Sequence, residues 1–320
     1  MKTVCLNLEE CNGMGDLICA TPTIKKLYEA YQRKIIVISN MPEIFKMNPY
    51  VDKSYKASSI DKEYFNKNYI MHNSFYLVGK KDERGVEMKH NMMDIRQFHA
   101  IHLGFMLKQD EMECFYKPTE ENDCKLGLNY NSTSGTKRYV VIHPVNSWPN
   151  RTWSEENWIK LSEYLISMGY TVVAVGKDSS ETGFFNVQKP VHKMNDNIIN
   201  LMNQTSISQT WYIINNAEAV ITMDSGILHL AGTTKTHIFE LGSAINPEFR
   251  TPYREGKQGL NHTYIKGGCG LHCSSNMKYA LEYWPTIDYV QPLIGCLEKK
   301  ETFECHPSVE QVITIIKNEL

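Results

Sequence analysis

The sequence reads as an α/β protein made of two doubly wound halves, and three observations lead there. Strand, helix and strand patterns succeed one another within the first 40 residues. The same alternation restarts at Tyr139. Between them, Pro118 to Lys137 is polar and rich in Asn, Ser, Thr and Gly, as a linker is. The expected domains are 1–135 and 136–320, with a cysteine-rich insert at about 266–306. Ligands of open α/β sheets bind beyond the carboxyl ends of the strands, so a central cleft faced by both halves is the expected site.

Thr3 to Leu8 reads as the first strand and is followed by the loop Gly13-Met14-Gly15-Asp16. Apolar or aromatic residues at Leu17, Ala20, Ile24, Leu27 and Tyr31 then recur every three or four positions, the stripe of a buried helix face. Pro22 implies either a kink or a helix capped by Thr21. Ile35-Ile36-Val37-Ile38 is a buried parallel strand, which completes a βαβ unit. Gly13 and Gly15 resemble a phosphate-binding loop but lack its third glycine, and Asp16 sits where a helix N-cap would also fit.

Asn48-Pro49-Tyr50-Val51-Asp52 reads as a turn into a short strand, and Asp94 to Leu107 as an amphipathic helix. Within it His99 and His102 are read as packed or solvated side chains, and Arg96 as a residue that could face an acidic ligand. Asn131-Ser132-Thr133 is a glycosylation sequon in pattern alone.

In the second half, strand Tyr139 to Ile142 runs into His143-Pro144 and then Arg151-Thr152-Trp153. Ser154 caps a helix with Glu155 and Glu156 in its first turn and Trp158, Leu161, Leu165 and Met168 on one side, ending at Gly169. A strand at Thr171 to Val175, a helix around Trp211 to Ile214 and a strand at Thr236 to Leu241 follow. Ser308 caps a last helix bearing Val309, Val312, Ile313 and Ile316.

The stretch Ala219 to Thr233 carries the chemistry. Its strand turns into a helix at Asp224-Ser225-Gly226, where free N–H groups suit an anion and Gly226 allows close approach. Asp224 can accept from sugar hydroxyls, and His229 lies one turn further in. The residues suit a sugar joined to a diphosphate, although an ordinary N-cap explains Asp-Ser-Gly equally simply.

The net charge of −2 over 320 residues gives no general attraction to nucleic acid or anionic lipid. No run approaches the ~18 apolar residues of a membrane helix, and the N-terminus enters a strand pattern directly, so a cytoplasmic protein with no membrane span is expected. Of nine cysteines, Cys269, Cys273, Cys296 and Cys305 fall together in the last quarter. In a reducing compartment such a group points to metal before disulfide, and four thiolates suit zinc or iron equally. His272 or His306 can replace one of them, and ordinary free thiols remain the plain alternative.

Taken in order, Gly15-Asp16-Leu17-Ile18 with Pro22, Asn48-Pro49-Tyr50-Val51-Asp52, His143-Pro144, Arg151-Thr152-Trp153 and Asp224-Ser225-Gly226 with His229-Leu230-Ala231 resemble glycosyltransferase family 9, the ADP-heptose heptosyltransferases of GT-B fold. The resemblance spans roughly residues 1 to 255 and implies two Rossmann-like domains. It implies an inverting transfer of a sugar, heptose foremost, from a nucleoside-diphosphate sugar, ADP-heptose foremost. In it Asp16 is the general base on the acceptor hydroxyl. Gly15, Asp224, Ser225, Gly226 and His229 hold the donor. Arg151 stands where the family usually has a lysine against the diphosphate, a departure, since the two cations are not interchangeable. The four cysteines look like the iron site of bacterial autotransporter O-heptosyltransferases, which favours iron in a structural role.

No Asp-x-Asp motif stands out, so a catalytic divalent metal is not expected. A protein serine is the favoured acceptor. A lipopolysaccharide core glycan or a hydroxymethylated DNA base are alternatives, the latter needing a basic face around Lys25, Lys26, Lys34, Lys80 and Lys81. A nucleotide-sugar epimerase of the same fold and a non-catalytic metal-bound binding module are readings from other classes. The oligomeric state stays open, a homo-oligomer included.

Overall fold

The structure, a computed structural model, describes residues 2–11, 13–74, 93–119, 138–146, 149–177, 197–275, 296 and 303–320. The sequon at Asn131, most of the expected linker, Lys80 and Lys81 lie outside the described residues. The chain divides into two compact units, Met1–Thr119 with Glu248–Leu260, and Glu120–Pro247 with Asn261–Leu320.

In the first unit, β1 (Val4–Asn7), α1 (Met14–Cys19), α2 (Thr21–Tyr31), β2 (Ile35–Ser39), β3 (Val51–Lys56), α3 (Lys62–Asn68), β4 (Ile70–Asn73) and α4 (Ile95–His102) follow one another. Among the described residues the strands form one parallel sheet in the order β3-β2-β1-β4. β2 is buried at every position, as its unbroken apolar run requires of a strand covered on both faces.

The helix expected to span Pro22 is two helices that break at Ala20. Thr21 is not a cap: its Oγ1 donates to the Ile18 carbonyl at 2.6 Å and accepts from the Phe115 N–H at 2.8 Å. α4 stops at His102, short of the expected Leu107, because Gly104 at φ +79° turns the chain out of the helix.

Arg96 faces no open ligand site. It is fully buried, grips Asp94 with two side-chain bonds, donates to the Thr251 carbonyl at 3.0 Å and lies 4.7 Å over the Tyr253 ring. It thereby fastens the returning segment 248–260, including the antiparallel pair Tyr253–Arg254 and Lys257–Gln258, into this unit. Lys25 pairs with Glu29 at 3.9 Å and Lys26 with Glu111, so that part of the conjectured basic face is internally neutralised.

The second unit contains β5 (Tyr139–Ile142), α5 (Glu155–Ser167), β6 (Thr171–Ala174), β7 (Ile199–Asn200), α6 (Ile207–Asn215), β8 (Ala219–Met223), α7 (Gly226–Gly232), β9 (His237–Leu241), β10 (His262–Ile265) and α8 (Val309–Glu319). Among the described residues its strands form a parallel sheet in the order β10-β9-β8-β5-β6-β7, with β8 and β5 at the centre. Val140, Ile142, Ile221, Phe239 and Leu241 from the strands pack with Trp158, Leu161 and Leu165 of α5 and Val309, Val312 and Ile316 of α8. Trp153 and Trp158 meet edge to face at 5.1 Å, a geometry worth about 0.5–1.5 kcal/mol beyond area burial.

Ser154 and Ser308 cap α5 and α8 as expected, each Oγ accepting from the N–H three residues on. Met168, expected on the buried side of α5, is instead its C-cap and is exposed, since Gly169 at φ +87° leads the chain away there. Among the described residues no helix is long and apolar enough to cross a membrane.

Candidate active site

The central strands β5 and β8 are hydrogen-bonded neighbours, so the residues leaving their carboxyl ends are brought together. From β8 come Asp224 and Ser225, from β5 the run His143 to Asn146. Ser225 is the N-cap of α7: its Oγ accepts from the Leu228 N–H at 3.4 Å and lies 3.0 Å from the Thr222 hydroxyl. The Thr222 hydroxyl in turn lies 3.4 Å from His143 Nδ1. The His143 ring packs against Gly176, where φ is +135° and a methyl would come within 2.6 Å of the ring.

Asp224 is only 3 % exposed, and its carboxylate is turned onto protein partners. Arg151 Nη1 donates to Oδ2 at 2.8 Å, and His229 Nε2 lies 4.0 Å from Oδ1. Asn146 Nδ2 donates to the Asp224 carbonyl at 2.6 Å. A buried carboxylate needs such compensation, because desolvating an unpaired charge costs several kcal/mol.

These contacts join Arg151, Asp224, Ser225 and His229 in one cluster, as the motif order implied. Arg151, the expected cation, pairs here with Asp224, and Ser225 already takes one of the first N–H groups of the seven-residue α7. Arginine's planar fork can clamp a phosphate through two parallel hydrogen bonds.

Arg151 is itself held by its chain neighbours. The Asn150 carbonyl accepts from His306 Nε2 at 2.8 Å, the Asn150 amide donates to Ser274 Oγ at 3.2 Å, and Trp153 Nε1 donates to the Pro307 carbonyl at 2.8 Å. Because a carbonyl can only accept, His306 carries its proton on Nε2, and burial keeps the ring neutral by lowering its pKa. The sequence reading gave Asn146 and Asn150 no role and considered His306 only as a possible metal ligand, since the bonds that place them here span 78 and 156 residues. Only the adjacency of His143-Pro144 to a buried strand offered a signal.

In the first unit, Asp16 is the third residue of α1 rather than its cap; Gly13 occupies the N-cap position. The carboxylate folds back over Gly13, whose absent side chain makes the room: a methyl there would lie 2.3 Å from Asp16 Oδ2. Gly15 lies within the same helix and is buried. Behind it, His99 is buried with its Nδ1 2.9 Å from Ser74 Oγ. Burial, reinforced by His102, pushes the His99 pKa down to about 3.

The four late cysteines are neighbours in space. Burial first, then the charges of Cys296 and Cys269, push the Cys273 thiol up to about 11. Burial first, then Cys273, Cys269 and Cys296, push Cys305 up to about 12. The Cys269 N–H donates to the Glu304 carbonyl at 2.8 Å, and Gly267 passes so near that a methyl would come within 2.3 Å of the Cys305 carbonyl oxygen. His272 Nδ1, beside Cys273, is buried with no hydrogen-bond partner.

Clustered thiols that resist ionisation beside an orphaned ring nitrogen are the chemistry a thiophilic cation relieves. They fit such an ion in kind. Even so, among the described residues no three His, Cys, Asp or Glu side chains are drawn close enough to hold a metal.

Several comparisons bear on this arrangement. Lipooligosaccharide heptosyltransferase 2 of Haemophilus influenzae is 27 % identical over 105 residues, which are 32 % of this chain and 30 % of that protein's length. The crystal structure of the glycosyl transferase family 9 from Veillonella parvula superposes with a TM-score of 0.67 at 16 % identity, covering 99 % of this chain and 96 % of the other. The dodecameric iron-containing heptosyltransferase TibC, solved in complex with ADP-D-beta-D-heptose, superposes with a TM-score of 0.69 at 15 % identity, covering 99 % and 76 %.

These structural likenesses identify the fold, a GT-B type of mixed α/β construction with parallel sheets. Residues 83–278, more than half of the chain, match the sequence profile of Glycosyltransferase family 9 (heptosyltransferase). With the motifs in order and the fold in agreement, the chain belongs to glycosyltransferase family 9.

Proposed function

We propose that this glycosyltransferase moves a heptose from ADP-heptose to an acceptor hydroxyl with inversion, a protein serine being the favoured acceptor. The observation that carries the reading is the buried Arg151–Asp224 pair at the end of the central strand, with Ser225 and His229 beside it. Nucleoside diphosphate leaves as negative charge builds on it, and a fixed cation stabilises that charge where it develops. Arg151 takes the diphosphate; Asp224, Ser225, Gly226 and His229 hold the sugar and its phosphates. Support for the donor comes from family membership and from TibC, which was solved with ADP-D-beta-D-heptose.

Asp16, with Gly13 and Gly15 around it, acts as the base that takes the acceptor hydroxyl proton, a role typically worth about 100- to 10,000-fold in rate. The donor-side domain is the second half, from about 136, without the segment 248–260, which returns to the acceptor-side unit. Cys269, Cys273, Cys296 and Cys305 hold a structural metal, iron before zinc, which supplies a rigid cross-link and no open coordination position. A homo-oligomer, as TibC's dodecamer is, accords with this reading.

Native mass spectrometry of the purified protein with a panel of nucleotide sugars tests donor and metal together. ADP-heptose retention and one metal ion per chain are expected. Asp16→Asn should abolish transfer to peptide while retaining the donor. Turnover of the donor with no acceptor present, or full activity of Asp16→Asn, would refute the mechanism.

A further inference from the structure

The cysteine-rich region and the donor turn meet at one residue. Asn150 precedes Arg151 in the short 3-10 turn Pro149–Arg151. Two of its hydrogen bonds run to residues that directly follow a cysteine: His306 after Cys305, and Ser274 after Cys273. Ser274 is itself seated by its N–H on the Ala244 carbonyl at 3.1 Å, and the next residue, Ser275, accepts from the Asn246 N–H at 3.0 Å. Asn150 is 1 % exposed, so no water competes for these bonds. Sequence separations of 156 and 124 residues mean that these contacts exist only when the late loop is in place.

We propose that His306 and Ser274 are positioning residues for glycosyl transfer: by fixing Asn150 they aim the Arg151 guanidinium at the donor diphosphate. The cysteine-rich loop thereby sets donor affinity without touching the donor. The proposal rests on the reading of Arg151 as the diphosphate cation. What grips Asn150 and the Trp153 anchor on Pro307 help to fix the turn's orientation, and with the Asp224 carboxylate they set the angle of the Arg151 fork. Bidentate phosphate recognition is sensitive to that angle in a way that ordinary charge attraction is not.

The test is ADP binding by titration calorimetry on the full-length protein, with adenosine as the phosphate-free comparison and metal content and melting temperature recorded for each variant. His306→Ala should weaken ADP roughly 5- to 100-fold, the range for a buried group left without its partner, and Ser274→Ala less. His306→Gln, which keeps an N–H donor, should recover most of the affinity. Adenosine binding should not change. In an Arg151→Ala background the His306→Ala change should have no further effect on ADP.

Equal losses for ADP and adenosine, or losses that add to those of Arg151→Ala, would overturn the positioning role. Unchanged ADP affinity in Arg151→Ala alone would overturn the underlying reading of Arg151 instead, and the two failures are thus told apart. Ser274→Ala, remote from the ring of His306, keeps the test decisive if His306→Ala folds poorly.

Discussion

Gly13→Ala separates placement of the Asp16 carboxylate from the stability of the fold. Gly13 has φ −86° and ψ 134°, an extended conformation that alanine adopts without strain. Losing a glycine there should leave stability unchanged or raise it by about 0.4–1 kcal/mol through the unfolded chain. The new methyl would lie 2.3 Å from Asp16 Oδ2 and 3.3 Å from its Cγ, so the carboxylate must retreat by about 1 Å to regain ordinary contact.

A displacement of that size at a reacting group can cost about 100-fold. The expected outcome is a kcat lowered by about two orders of magnitude with an unchanged KM for the donor and an unchanged or higher melting temperature. Steady-state transfer kinetics and a thermal melt read both. Wild-type kcat in Gly13→Ala, alongside an inactive Asp16→Asn, would show that the carboxylate's seat on Gly13 has no bearing on the chemistry.

Two further outcomes concern the first unit. Arg96→Met leaves Asp94 without its buried partner and releases the Thr251 carbonyl, so urea denaturation should register a loss of about 3–5 kcal/mol. His99, with a folded pKa of about 3 against an ordinary 6.5, is neutral in the fold while the unfolded chain protonates it below 6.5. Its contribution is therefore full above pH 6.5 and drains away as pH falls towards 3, by about 1.4 kcal/mol per unit. Between pH 6.5 and 4.5 the wild type should lose about 2–3 kcal/mol more than His99→Gln in parallel denaturations, and equal losses would contradict the buried neutral state.

Legibility of the site followed the reach of each interaction. The turn at Asp224-Ser225-Gly226 could be read because a buried strand, a cap and a helix are adjacent in the chain. The Arg151–Asp224 pair spans 73 residues and the His306–Asn150 bond 156, and neither leaves a local pattern. The break at Ala20 hid inside a continuous apolar stripe, since both helices keep the same face inward. β4, with an exposed Ile70 at its start, gave no alternation to follow.

Local periodicity, caps and glycine turns, which depend on residues within a few positions of one another, were enough to read the α/β class and most of its strands and helices, while the ordered short motifs carried the resemblance to the family. Tertiary structure alone decided which charge faces which. It turned Arg96 from a candidate ligand contact into the buried fastening of segment 248–260, and it made Arg151 the partner of Asp224. Electrostatic pairing acts through space at a few ångströms, and only the folded backbone brings residues so distant in sequence to that range.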